Sequence, residues 1–397
     1  MKNNLLRKIL AAGGLARGGK LMEATAAIQR ALTSITPSAA VRPARTGARE
    51  ASPAASTEPG SLLDGFLRDI KSNLRAANDG AAASVAEAPT VVQPAEPAFV
   101  DSTFTGAAGT RAFKLFEPAG FGAHALPLLV MLHGCTQSPD DFAAGTRMNE
   151  LAQQEGLFVL YPAQAPRSNA HKCWNWFTPG DQRRGAGEPS LIAGMTRHVL
   201  RTHPIDGARV YVAGLSAGGA MAAILAREYP DLFAAAGIHS GVPAGAAHDV
   251  ASAFAVMKAG PSAAAAPLAF RSAPPGEPRP AAFTPVIVFH GDADSTVAAA
   301  NGDAVIDATL GAERNATRIE AESVAGREGR SFQRKVWRAA DADAKAPSLA
   351  EHWIVHGAPH AWSGGASAGS YTDPSGPDAS REMLRFFREH PRADERR

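Results

Sequence analysis

The chain reads as an α/β protein with a doubly wound, mostly parallel sheet, on two grounds. After about residue 100, short apolar runs alternate with stretches of helical periodicity. Parallel strands leave that pattern when helical crossovers cover both faces of their sheet. One of the junctions also carries Gly214-Leu215-Ser216-Ala217-Gly218, a glycine-framed serine between an apolar run and a helical one, where a strand must turn sharply into a helix.

In chain order, LPLLVMLH at 126 to 133 and GLFVLYP at 156 to 162 read as buried strands, with the helix MNELAQQEG between them. PSLIAGMTRHVLRTH supplies the next helix, RVYVAG at 209 to 214 a strand, and GGAMAAILAREYP the helix after the serine turn. A strand is expected near Ala236. An Ala/Pro-rich insertion over roughly residues 244 to 283 follows, either a cap or a loop. TPVIVFHG at 284 to 291 and HWIVHG at 352 to 357 read as the last strands, and DASREMLRFFREH as the terminal helix.

The region before residue 99 is different. Residues 1 to 50 hold nine Lys or Arg against Glu23 and Glu50, while the whole chain is nearly balanced at +2. That balance argues against nucleic-acid wrapping. Leu21, Ala24, Ile28 and Leu32 recur at helical spacing, so residues 1 to 35 are expected to form a basic amphipathic segment. Its short apolar stretch, broken by Gly13 and Gly14, does not read as a secretory signal. Residues 36 to 98 turn to Ala, Pro, Ser and Thr, the composition of a largely disordered linker, with a second helical stripe at Leu63, Phe66, Leu67, Ile70 and Leu74. Residues 99 to 391 are the expected catalytic domain and 392 to 397 a charged tail. No run reaches the roughly 18 apolar residues of a membrane span.

The serine turn points to chemistry. A hydroxyl is a weak nucleophile until a histidine takes its proton, and a carboxylate must orient that histidine. On a sheet of this kind the acid follows a later strand and the histidine comes last. Asp292 and Asp294 both follow the strand at 284 to 291. Asp294, a short turn further on, is the expected acid, whereas Asp292, nearer the strand end, could equally stabilise the turn; the alternative is that both merely cap a turn. His360, past the last strand and before the terminal helix, is the expected base. His239, His290, His352 and His356 lie at or in strands and are expected to be packed or hydrogen-bonded. The backbone amides of Cys135, after Gly134 in LHGCTQ, and of Ala217 are the expected oxyanion donors.

HKCWNWF sets Trp174, Trp176 and Phe177 beside Cys173, rings that either wall an acyl pocket or close the core. Trp174, Trp176 and Trp362 are the expected substrate-pocket residues. A bridge between Cys135 and Cys173, the only two cysteines, would fasten the aromatic loop to the oxyanion loop in an oxidising compartment. No cofactor and no metal is expected.

With LHGCTQSPDDF, GLFVLYPAQ, KCWNWF, VYVAGLSAGGAM, HGDADSTV and PHAWSGG in this order, the chain resembles the poly(3-hydroxybutyrate) depolymerase type of esterase. The likeness runs from about residue 100 to about residue 390. LARGGKLMEATAAIQRAL also resembles the leader of bacterial members. The resemblance implies an α/β-hydrolase fold and an acyl-serine mechanism, with Ser216, Asp294 and His360 as triad and Cys135 and Ala217 as oxyanion donors. It implies ester substrates, among them polyhydroxyalkanoates, with feruloyl and acetyl esters of plant polysaccharide as the alternative. It also implies an extracellular setting, against which the missing secretory pattern sets a cytoplasmic, granule-associated one. A reading of another class is a granule or anionic-surface binding protein in which the N-terminal helices do the work and the hydrolase core is vestigial.

Overall fold

The computed structural model describes residues 95–121, 124–261, 284–311, 317–324, 329–343 and 346–392. The expected N-terminal helices and most of the linker therefore lie outside the described residues.

The strands are β1 (Ala98–Gly106), β2 (Gly109–Glu117), β3 (Leu126–Leu132), β4 (Phe158–Pro162), β5 (Ile205–Leu215), β6 (Ala235–His239), β7 (Val286–Gly291), β8 (Thr317–Val324), β9 (Phe332–Ala339), β10 (Ala350–Val355), β11 (Trp362–Ser363) and β12 (Thr372–Asp373). The helices are α1 (Pro139–Thr146), α2 (Met148–Glu155), α3 (Gly187–Thr202), α4 (Ala217–Glu228), α5 (Val250–Ala259), α6 (Ala300–Leu310) and α7 (Ala379–Glu389). Ten strands form one sheet in the order β1-β2-β4-β3-β5-β6-β7-β10-β9-β8. The central run from β4 to β10 is parallel, and antiparallel strands flank it on both sides. This is the expected α/β-hydrolase arrangement.

The central strands are buried on both faces, which is why they read as unbroken apolar runs. Along β3, Leu128, Val130 and Leu132 enter one core with residues of α3, α4, α5 and α6. Leu129 and Met131 enter the other, with Phe142 of α1, Leu151 of α2 and Phe386 and Phe387 of α7. The strand period of two thus divides one sequence run between two helical layers.

The structure differs from the sequence reading in four places. The last parallel strand stops at Val355 rather than running to residue 357, so His356 is an exposed turn residue, although it is hydrogen-bonded as expected. The β1–β2 and β8–β9 pairs extend the sheet beyond the strands read from the sequence. Helices α1, α5 and α6 also escaped the sequence reading. Within the insertion, Val250–Ala259 is helix α5, capped by Asp249, whose side chain accepts from Ser252 N at 2.7 Å; residues 262–283 lie outside the described ones.

The parallel strands end in register. Leu132 pairs with Gly214, Leu215 with His239, and Gly291 with Val355. The loops after β3, β5, β6, β7 and β10 therefore leave the same end of the sheet, at the carboxyl ends where open α/β sheets carry their sites.

Candidate active site

Ser216 sits between β5 and α4 with φ 58° and ψ −119°, a sparsely populated conformation that costs on the order of 1–3 kcal/mol. Its surroundings hold it there. Ser216 N donates to His239 O at 2.9 Å and Ser216 O accepts from Ala220 N at 2.9 Å. The two glycines of the motif have a steric reason: a methyl group on Gly214 would overlap the Gly218 backbone, and one on Gly218 would overlap Leu132 O. Strand, turn and helix can approach this closely only without side chains. As the first residue of α4, Ala217 presents an amide with no partner within the helix.

Asp294 follows β7 and His360 follows β10. His360 Nδ1 and Asp294 Oδ2 are 2.6 Å apart, with the carboxylate side chain fully buried and the imidazole 11% exposed. The other oxygen, Oδ1, accepts from Thr296 N and Val297 N, each at 2.8 Å. Burial alone pushes the Asp294 carboxyl up, but the hydrogen bond and charge of His360, the Val297 amide and His290 outweigh it. The net shift is downward. The carboxylate thus stays ionised and faces the imidazole.

The neighbouring pair is different. Asp292 Oδ2 lies 2.8 Å from His356 Nδ1, and Oδ1 accepts from Gly357 N at 2.6 Å, with the two side chains 42% and 47% exposed. It braces the turn after β10 at the surface.

Between β3 and α1, Gly134 N donates to Gln137 Oε1 at 2.9 Å and Thr136 N to His171 O at 2.7 Å, so the amides on both sides of Cys135 are committed. Cys135 is joined to Cys173 by a disulfide, with Cα atoms 4.2 Å apart. The bridged loop is further pinned by Gln164, whose Nε2 donates to Cys173 O at 2.9 Å and whose backbone N donates to His133 Nε2 at 3.1 Å. Buried Glu188 accepts from Asn175 N at 2.7 Å.

An open cleft holding about 270 Å³ of empty space is lined by Cys135, Trp176, Ser216, Ala217, Ala220, Ser240, Val242, Met257 and Val297. Ser216 and both expected oxyanion residues thus share one concavity with an aromatic ring, four apolar side chains and Ser240. Of the three tryptophans expected to line a pocket, Trp176 does so. Trp174 and Trp362 do not, because both are fully buried and their indole N–H groups bond inward. Trp174 donates to His133 O at 3.1 Å, beneath the oxyanion loop. Trp362 donates to Ser380 Oγ at 3.0 Å and stacks on His239. Their rings fill the core and do not line the cleft.

The sequence reading did not reach Ser240, Val242, Met257 and Val297. Ser240 and Val242 directly follow β6, next to β5 in the sheet, so the strand order was the available signal for them. Met257 comes from the insertion, where no local pattern marks which helix face meets the site.

The family model described as "Esterase PHB depolymerase" matches residues 111–330. A poly(3-hydroxyalkanoate) depolymerase C from Paucimonas lemoignei is 38% identical over 196 residues, covering 48% of this chain and 45% of that protein. A feruloyl esterase B from Neurospora crassa is 37% identical over 116 residues, 29% of this chain and 39% of the relative. The matches thus span less than half the length of these curated relatives. Among solved structures, an acetyl xylan esterase from Aspergillus awamori superposes with a TM-score of 0.57 at 19% identity, over 74% of this chain and 99% of that one; it shares the fold.

Proposed function

The chain belongs to the esterase PHB depolymerase family, and from that premise we propose that it is a serine esterase, acting on polyhydroxyalkanoate or short hydroxyacyl esters through an acyl-serine intermediate. The observation that carries this reading is the buried Asp294–His360 pair at 2.6 Å, on loops that leave the same end of the sheet as the one that holds Ser216. Ser216 Oγ attacks the ester carbonyl while His360 Nε2 accepts its proton. The amides of Cys135 and Ala217 donate to the oxygen as it becomes negative, an interaction worth about 3–4 kcal/mol per donor. Collapse of this intermediate breaks the carbonyl–alkoxy bond, and His360 gives the proton to the leaving alcohol. Water then attacks the acyl-serine, with His360 again taking a proton and returning it to Ser216 as the carboxylic acid leaves. Asp294 holds the imidazole in the tautomer this requires and stabilises the imidazolium.

The cleft sets three aliphatic side chains, Val242, Met257 and Val297, against one aromatic ring, Trp176, a lining that favours an aliphatic hydroxyacyl group over a feruloyl one. Comparing amorphous polyhydroxybutyrate, p-nitrophenyl butyrate, methyl ferulate and acetylated xylan as substrates of the purified protein tests this. Release of hydroxybutyrate from the polymer is expected; hydrolysis of ferulate or xylan esters alone would move the protein to the plant-polysaccharide group.

The +7 charge of the first 50 residues and their helical apolar stripe support attachment to a polymer granule or an anionic surface, by buried apolar area plus electrostatics. Deleting residues 1–94 should weaken that association and leave hydrolysis of small esters nearly unchanged. Loss of small-ester hydrolysis would make this segment part of the folded core.

A further inference from the structure

Tyr371 is one of three large hydrophobic side chains exposed among the described residues, at 36%, and the cleft beside Ser216 does not include it. It has φ 53°, an unfavourable conformation for a bulky residue that the surrounding structure must enforce. Backbone and side-chain contacts enforce it. Tyr371 O accepts from Trp362 N at 2.7 Å, tying it to the strand that begins two residues after His360, and β11 and β12 pair across this loop. Its hydroxyl lies 3.3 Å from Thr136 Oγ1, one residue after Cys135. The preceding Ser370 donates from N to Asp141 Oδ1 at 2.9 Å, and its carbonyl accepts from Gln137 Nε2 at 3.0 Å. Gln137 is the residue that also holds Gly134 N, at 2.9 Å. A polar network thus runs from the oxyanion loop to the loop after the histidine, and at its end a phenol ring is held with about a third of its surface open to solvent.

The ring belongs to neither buried core, and its place between the loop of Cys135 and the loop after His360 has a chemical meaning. In acyl transfer the histidine must reach the leaving alkoxy oxygen, so the alcohol portion of the ester lies on the His360 side. We propose that Tyr371 is the platform of an alcohol-side subsite, packing its ring against the extended C–H face of the leaving group. This rests on the esterase reading. The same chemistry is offered by the next repeat unit of a polyester and by a pyranose.

The test uses three butyrate esters that share an acyl group: methyl butyrate, ethyl 3-(butanoyloxy)butanoate and a butyrate monoester of methyl xyloside. In Tyr371→Ala, kcat/KM for an extended ester relative to methyl butyrate should fall about three- to tenfold, the worth of one aromatic packing contact, through KM more than kcat. Tyr371→Phe should retain most of that ratio. A fall with the hydroxybutyrate ester identifies a polyester unit, and a fall with the xyloside a sugar. An unchanged ratio in both arms, or a loss in Tyr371→Phe equal to that in Tyr371→Ala, would overturn the proposal. Wild-type protein inert on all three esters would instead sink the esterase reading.

Discussion

Asp292 and Asp294 stand two residues apart, each facing a histidine, and their surroundings separate them. The side chain of Asp294 is buried and receives two backbone amides besides His360; Asp292 is 42% exposed. Asp294→Asn should therefore lower kcat by about 10⁴-fold, through the wrong imidazole tautomer and the lost carboxylate, with the fold retained by circular dichroism. Asp292→Asn should change it little. Reversal of the two losses in steady-state kinetics would exchange their roles. The sequence could place Asp294 ahead of Asp292 because distance from the strand end favours it. It could not separate Trp176 from Trp174 and Trp362, since an indole that fills a core and one that walls a cleft have the same sequence signature; the inward N–H partners decide.

At the level of elements, Glu351 ties β9, β10 and α7 together. Its carboxylate accepts from Arg334 Nη2 at 2.9 Å, Arg385 Nη2 at 2.7 Å and Trp353 Nε1 at 3.1 Å. Burial alone would push this carboxyl up, but the two guanidinium groups hold it below the usual carboxylate range. Glu351→Ala should cost about 3 kcal/mol, because the arginines lose their partner, and calorimetry should find Tm lower by several degrees. An unchanged Tm would mean that solvent already screens the network. The elements legible in the sequence were those with strong periodicity: the buried central strands and the longer helices. The β1–β2 hairpin escaped because its first strand is an edge with a largely exposed pattern, offering no apolar run. Helix α1, PDDFAAGT, is eight residues long, too short to set a period, and only its Ser138 cap and Pro139 start mark it.

For the molecule as a whole, the end of the sheet that gathers the candidate catalytic loops also buries histidines in neutral form. Desolvation first, partly countered or reinforced by neighbours, lowers His133 to about 4, His239 to about 3 and His290 to about 4, from an ordinary 6.5. The unfolded chain takes up these protons as pH falls below 6.5, while the folded chain does not. Their contribution is therefore complete above pH 6.5 and is lost progressively as pH falls towards 4. Urea midpoints should fall between pH 7 and pH 5, before most carboxylates titrate; a midpoint constant over that range would contradict neutral burial of these rings.

The central claim is that the strained serine at the β5–α4 turn is the nucleophile. Treating the purified protein with a fluorophosphonate and locating the adduct by peptide mass spectrometry tests it directly. One adduct on Ser216 is expected, appearing in proportion to lost esterase activity and absent from Ser216→Ala, which should be inactive on every ester yet folded. Label on another residue, or substantial hydrolysis by Ser216→Ala, would contradict the account.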